Sequence, residues 1–364
     1  MRSSIFKVIY DGTPEAMVFM YDSSSERLMQ AIKSGLGVDF LNSIHNPHCR
    51  VGLSNHCDHD IAFVLVCSHN NFAVVRWLLK TYSCINSHYH RVEALFEVCK
   101  NGDIHLFRWL CKTFNDFDLL NHINHCFDLT CKHGHLSFAK WIYHTYPSTT
   151  SSDGALISAS CNGHLPIVKF LMDISPLRNR QYRYKLVFRH ALCEGHIHLL
   201  EWVESVIKLN IQKISLNSLL ILACSSGYLY AIQWVFCRYP QLFTRSEVKD
   251  AFIVTCGDGY LHILRWFWDQ FPDIRVHMYS YLSFEAACHE GHLHVVKWLW
   301  SKSPTISLNK IVKVFEIVCE EDHLPVAKWL VRTFKELNPK SIDPEIMDYI
   351  RTEGSRKMYR WLKN

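Results

Sequence analysis

The sequence predicts an all-α helix-turn-helix solenoid of about ten stacked repeats, and three observations carry that prediction. A bulky aromatic closes each unit: Trp77, Trp109, Trp141, Phe170, Trp202, Trp234, Trp266, Trp298, Trp329 and Trp361. The successive intervals are 32, 32, 29, 32, 32, 32, 32, 31 and 32 residues, and a fixed period in this range marks units that hide their apolar faces on one another. Seven residues before the aromatic stands glycine in eight units: Gly102, Gly134, Gly163, Gly195, Gly227, Gly259, Gly291 and Gly354. Ten residues before it stands cysteine in seven: Cys67, Cys99, Cys131, Cys224, Cys256, Cys288 and Cys319.

The other columns order each unit. Glycine takes positive φ without a Cβ clash, so its column ends a first helix. Next come His135, His164, His196 and His292, with His323 after Asp322, and Tyr228 and Tyr260 in two units. An apolar residue such as Ile104, Leu136, Leu165, Leu229, Leu293 or Leu324 follows, and a second helix starts there. Pro166 and Pro325 suit its first turn, where backbone N–H groups lack intrahelical partners. Leu293, Val296 and Leu299, widened by Val295 and Trp298, form the stripe of a helix packed on a neighbour. Pro147, Pro176, Pro240, Pro272 and Pro304, six residues past the aromatic, end that helix. Tyr82, Phe114, Tyr146, Tyr239, Phe271 and Phe334, one residue earlier in the register, are expected to plug the space between units.

The segments CHEGHLHVVKWL at 288–299, CEEDHLPVAKWL at 319–330 and CKHGHLSFAKWI at 131–142 carry a family resemblance. They resemble the ankyrin repeat, in which two small and two variable residues precede Gly-His and a Val-Val-Lys-Leu-Leu helix. The resemblance covers about residues 58–364. The Thr-Pro-Leu-His opening of the family is missing from every unit, cysteine stands for alanine, and tryptophan stands for leucine. Such Trp-rich units are similar to the long ankyrin families of amoebae and large DNA viruses. The resemblance implies a concave first-helix side and loop tips that hold a protein partner, here at 86–90, 148–153, 177–185, 241–247 and 273–280.

The ends differ from the middle. Residues 1–57 read as an irregular N-terminal cap, with a degenerate repeat in ERLMQAIKSGLGVDFLNSI at 26–44. Residues 58–364 read as the array, closed by a polar C-terminal cap at 343–364. There RTEGSRKMYRWLKN keeps Gly354, Arg360 and Trp361, but puts Arg351 in the cysteine slot and Arg356 in the leucine slot, as a solvated end requires. No secretory signal is expected, because Lys7 splits the apolar residues of MRSSIFKVIYDG. Ile214 to Cys237 lacks formal charge, yet Cys224, Ser225, Ser226, Gly227 and Gln233 fall inside it. The repeat register makes it two short helices around a turn, so no membrane span is expected.

Composition sets limits on chemistry. With 39 basic and 34 acidic residues the chain carries +5, too mild by itself to imply nucleic acid. Of 15 cysteines, those in the repeated column suit small buried hydrophobes. Helices stacked about 8–10 Å apart cannot cross-link along that column, since a disulfide needs Cα atoms within about 7 Å. An intracellular, cytoplasmic or nuclear location follows as the expectation. His45, His48, Cys49, His56, Cys57 and His59 are zinc-ligand types, but complete no standard pairing framework, so no metal is expected. The pairs His196/His198 and His292/His294 open second helices, where the macrodipole opposes a positive imidazole, and read as neutral turn groups.

Two basic features remain. Arg76, Arg108, Lys140, Lys169, Arg265, Lys297, Lys328 and Arg360 precede the closing aromatic, and read as a solvated face whose stems cover neighbouring tryptophans. The stretch LRNRQYRYK, read as a loop, offers Arg178, Arg180, Tyr182, Arg183, Tyr184 and Lys185 as partner-binding residues, since Arg and Tyr are enriched at interfaces. No phosphate-binding glycine loop, nucleophile elbow or HExxH motif is present. The expected function is therefore a non-catalytic, monomeric protein–protein interaction scaffold with an unidentified protein partner and no cofactor. The alternative is a basic module binding nucleic acid or an acidic segment, which steep salt dependence would reveal.

Overall fold

The computed structural model describes residues 38–39, 56–81, 88–114, 121–146, 153–176, 180–207, 217–272, 281–302, 306–339, 342–352, 354 and 356–363. Almost all of the expected N-terminal cap lies outside these residues. The chain forms two compact units, 1–183 and 184–364. The described residues contain twenty α-helices and no strand, and the helices come as ten helix-turn-helix pairs.

In the first unit the pairs are α1 (His56–Ser68) with α2 (Phe72–Thr81), α3 (His88–Asn101) with α4 (Ile104–Thr113), α5 (Ile123–Lys132) with α6 (Leu136–Thr145), and α7 (Asp153–Cys161) with α8 (Leu165–Asp173). The helix α9 (Arg180–Cys193) crosses the division and pairs with α10 (Ile197–Ile207). In the second unit follow α11 (Asn217–Ser225) with α12 (Leu229–Arg238), α13 (Arg245–Asp258) with α14 (Leu261–Gln270), and α15 (Tyr281–His289) with α16 (Leu293–Lys302). The last pairs are α17 (Leu308–Glu320) with α18 (Leu324–Thr333), and α19 (Pro344–Thr352) with α20 (Arg356–Lys363). The uncharged stretch at 214–237 thus contains two short helices, and no described helix is long and apolar enough to cross a membrane.

The turn inside each pair is built by the glycine column. Gly134 donates its N–H to Cys131 O at 3.4 Å, and His135 donates to Thr130 O at 3.0 Å, the paired bonds that close a helix through a left-handed residue. The same bonds recur from Gly291 to Cys288 O and from His292 to Ala287 O. The following residue then makes an inverse γ-turn: His135 lies at φ −88, ψ 71, and Leu136 N–H reaches Gly134 O at 3.1 Å. Nine of the ten turn positions have positive φ. The two that lack glycine are Asn70 at φ 55 and Asp322 at φ 59, the residue types that best tolerate this region.

Six of these glycines, Gly102, Gly134, Gly195, Gly227, Gly259 and Gly291, have a second task. A Cβ on Gly134 would lie 2.8 Å from the His164 ring, on Gly227 2.7 Å from Tyr260, and on Gly259 2.6 Å from His292. The ring that follows one turn is therefore seated on the bare glycine of the preceding turn. That explains why tyrosine can replace histidine in this column: both offer a flat ring.

Packing repeats as strictly as the turns. Each second helix from α2 to α18 buries residues at i, i+1 and i+4, as in Val295, Val296 and Leu299 of α16, while Leu293 and the closing aromatics are only half-buried. First helices bury residues at i, i+1, i+4 and i+5, as in Ser283, Phe284, Ala287 and Cys288 of α15. These quartets meet: α1 packs on α3, α3 on α5 and α5 on α7, and separately α11, α13, α15, α17 and α19 follow one another. Fully burying a valine, leucine or phenylalanine contributes about 1.5–3 kcal/mol, so these quartets and triplets supply most of the stabilisation.

The expected plugs hold where they are described. Phe114 meets Phe63 edge-on at 6.0 Å, and Phe334 meets Trp300 at 4.7 Å. Tyr239 donates its hydroxyl to Glu204 Oε1 at 2.9 Å. At the C-terminal end α19 buries only Ile350 and α20 only Met358 and Leu362, while Arg351 and Arg356 are exposed.

Two neighbouring glycines separate the causes. Gly257 lies within α13 with no atom nearer than 3.8 Å to an added Cβ, so Gly257→Ala should raise stability by up to about 1 kcal/mol through helix propensity. Gly259→Ala must strain a φ of 80 and displace His292, and should cost about 2 kcal/mol or more. Urea titration of the two variants beside the parent checks both signs.

Candidate functional site

The residues with the most reactive chemistry are committed to the core. All described cysteines are free, and the column from Cys67 to Cys319 is buried. Burial pushes the Cys224 thiol from its ordinary value of 9.0 up to about 12, against a lowering hydrogen bond with Thr255. Burial and then the Glu316 and Glu320 charges push Cys319 to about 12 as well. Cys67, Cys131 and Cys288 are raised further by the same burial. These thiols stay protonated at neutral pH and are poor nucleophiles and poor metal ligands.

The histidines join successive pairs. His135 Nε2 reaches Lys100 O at 2.6 Å, His164 Nε2 reaches Lys132 O at 3.0 Å, and His294 Nε2 reaches Gly259 O at 2.9 Å. A carbonyl only accepts, so Nε2 carries the hydrogen in each case. In the pair His292/His294, the first ring is seated on Gly259 and the second donates to the carbonyl of the same glycine. Among the described residues no group of His, Cys, Asp and Glu is placed to hold a metal. His45, His48 and Cys49, and the side chains of His56, Cys57 and His59, lie outside what the structure describes.

The basic column lies along the second helices and is exposed except at Lys328, which is half-buried. Arg108 is 5.8 Å from the Trp141 ring and Lys140 is 5.8 Å from the Phe170 ring, each the closing aromatic of the next pair. The expected cover over neighbouring aromatics is thus present at these two positions.

The stretch at 177–185 is not a loop throughout. Arg178 lies outside the described residues, but α9 begins at Arg180. Arg183 is 3% exposed, donates to Ser175 Oγ, and holds Nε 3.4 Å from Asp153 Oδ1. Ser175 Oγ in turn donates to Leu171 O. Burial lowers the Arg183 pKa, against the opposing pull of Asp153. Tyr184 is half-buried and meets Trp202 at 5.8 Å. Arg180 is half-buried, and of the five described candidates only Tyr182 and Lys185 are exposed. Once α9 forms, its helical period turns Arg183 inward and separates it from its neighbours.

The expected loop tips at 148–152 and 273–280, and part of the one at 86–90, also lie outside the described residues. A different surface is described: the side of the first helices opposite their buried quartets. Between α1 and α3 it forms a groove of about 330 Å³ lined by Ile61, Val64, Leu65, Ser68, His90, Glu93 and Glu97. Ile61 is 42% exposed. Behind His90 stands Asp60, 4% exposed, with Oδ2 3.6 Å from His90 Nδ1 and Oδ1 without a hydrogen-bond partner among the described residues. His90 falls within the expected tip at 86–90, but the sequence reading singled out none of the other lining residues, because none belongs to a chemical motif. A register signal was present: Ile61 and Glu93, and Leu65 and Glu97, are each one 32-residue period apart.

No family model and no curated protein sequence matches this chain.

Two measurements follow from these placements. A thiol whose folded pKa is raised favours the folded state fully below its unfolded pKa, and the contribution is lost as pH rises through the folded value. Stability should therefore fall progressively between about pH 9 and 12, and iodoacetamide at pH 8 should modify exposed Cys237 well before Cys224 or Cys256. Arg183→Ala should cost about 2 kcal/mol, because it removes a buried side chain together with its hydrogen bond to Ser175, whereas Lys185→Ala should stay within about 0.5 kcal/mol. Thermal melts of the two variants check this contrast.

Proposed function

We propose that this chain is a non-catalytic, ankyrin-like interaction scaffold that holds a protein partner on the outward side of its first helices. One observation carries the reading. Eight of the ten first helices place two successive half-exposed residues between their buried positions, and the identity of these residues changes from pair to pair. Among them are Val64 and Leu65 in α1, Phe96 and Glu97 in α3, Asp128 and Leu129 in α5, Ile253 and Val254 in α13, and Glu285 and Ala286 in α15. In contrast, the buried quartets and the turns repeat almost unchanged. A frame that keeps its skeleton and varies one face suits recognition by surface, with affinity resting on a few anchors.

The free buried thiols support a reducing, intracellular setting. The cover of Arg108 and Lys140 over neighbouring aromatics supports a packing role for the basic column, which leaves a nucleic-acid reading without an observation of its own.

Proximity labelling in the native cell tests the proposal. A variant with Ile253→Arg and Glu285→Arg on the first-helix side should lose specific labelled neighbours. A variant with Gln233→Glu and Lys297→Glu on the exposed second-helix side should keep them. Both proteins should melt within a few degrees of the parent. Equal losses in both variants, or none in either, would reject this face as the partner surface.

A further inference from the structure

We infer that the groove between α1 and α3 is a recognition site for a basic–apolar peptide segment, one in which a lysine or arginine neighbours an aliphatic residue. The inference rests on the scaffold reading and names the chemistry of its partner at one place.

The groove has an apolar floor and an anionic wall. Ile61, Val64 and Leu65 supply the floor from one face of α1, and Ile61 is 42% exposed although it sits beside fully buried Ala62 and Phe63. Glu93 and Glu97, one turn apart on α3, face it together with His90. At about 330 Å³ the space is near the lower end for ligand pockets, which suits one or two side chains better than a cofactor.

Charge decides the sign of the occupant. Glu97 holds Lys100 Nζ at 2.5 Å, so one cation of this chain already answers one carboxylate. Glu93 lies beside the exposed phenol of Tyr89, whose pKa it raises by hydrogen bonding and by its charge, as expected for an anion. Asp60 adds a buried carboxylate whose Oδ1 has no hydrogen-bond partner among the described residues, and its Oδ2 stands 3.6 Å from the His90 ring that lines the groove. Of the described groove residues, two glutamates and one histidine face the floor, and Lys100 answers one of the two glutamates. The chain as a whole carries +5, so general electrostatics would repel a cationic ligand, and its binding here must come from the local arrangement. An aliphatic neighbour on the ligand covers Ile61, while its ammonium or guanidinium group meets Glu93.

Fluorescence anisotropy of the full chain with two labelled decapeptides tests the inference. One peptide alternates leucine and lysine, and its twin carries glutamate in place of every lysine. The lysine peptide should bind at least ten-fold more tightly than the twin. Glu93→Gln with Glu97→Gln should weaken it about ten-fold, and Ile61→Ser should weaken it at constant charge. Equal binding of the two peptides, or an unchanged affinity in the double glutamine variant, overturns the assignment. Concentration-dependent dimerisation in sedimentation, abolished by Ile61→Ser, would assign the groove to a second copy of this chain and also overturn it. If the peptides fail while Ile253→Arg with Glu285→Arg still removes partners in the cell, only this groove is misassigned. If that variant also keeps its partners, the scaffold reading falls with it.

Discussion

The fold depends on the contact between a ring and a bare backbone. At Gly102, Gly134, Gly195, Gly227, Gly259 and Gly291 the backbone takes positive φ, and because there is no Cβ, the imidazole or phenol of the next pair can lie against it. One atom's absence thus serves two levels at once: it ends the first helix, and it sets how closely the next pair approaches. The carbonyls freed at the end of that helix are answered from the same neighbour, as His135 does at Lys100 O and His294 at Gly259 O. Local turn chemistry and the contact between pairs are therefore one interaction. Neither half would persist alone, because the ring needs the gap and the exposed carbonyl needs the ring.

Much of the helix-pair frame was legible in the sequence because its causes are local. Positive φ selects glycine, a helix start tolerates Pro166 and Pro325, and proline after Phe271 stops α14. The seating of rings was hidden, since His164 and Gly134 lie 30 residues apart, and nothing in either neighbourhood announces the other. The stretch at 177–185 misled for a similar reason. Arginine and tyrosine at alternate positions look exposed when written as a loop, but Pro176 had already ended the preceding segment and freed the chain to start α9. Asp153, the residue that draws Arg183 inward, stands 30 positions earlier.

The candidate site shows the opposite balance. Its residues are ordinary, and only their placement is informative: an isoleucine of α1 opposite a glutamate of α3, one period on. Reactive-looking residues proved to be committed to the frame, with thiols sealed in the quartets and histidines tied to turn carbonyls. In a repeated chain, chemistry that recurs in every unit serves the repetition itself. Departures from the repeat, such as Glu93 where α1 has Ile61, are where individual recognition can reside.

The seats also fix which parts of the chain are interchangeable. In the first unit Gly102 and Gly134 each accept a histidine ring, so the pair that carries Gly134 and His135 presents a ring to one neighbour and a seat for a ring to the other. Excising it would bring His164 onto Gly102 much as it now lies on Gly134. The turn at Asn70 is different, for it takes positive φ with a side chain in place of glycine, and the next pair supplies Asp103 at the matching position while Asn101 donates to Cys67 O and Ser68 O. The first described pair is thus joined to its successor by contacts that differ from those between a ring and a glycine. Exchange of whole units is open where a ring meets a glycine and closed where Asn70 stands, a difference written into single positions rather than into the helices.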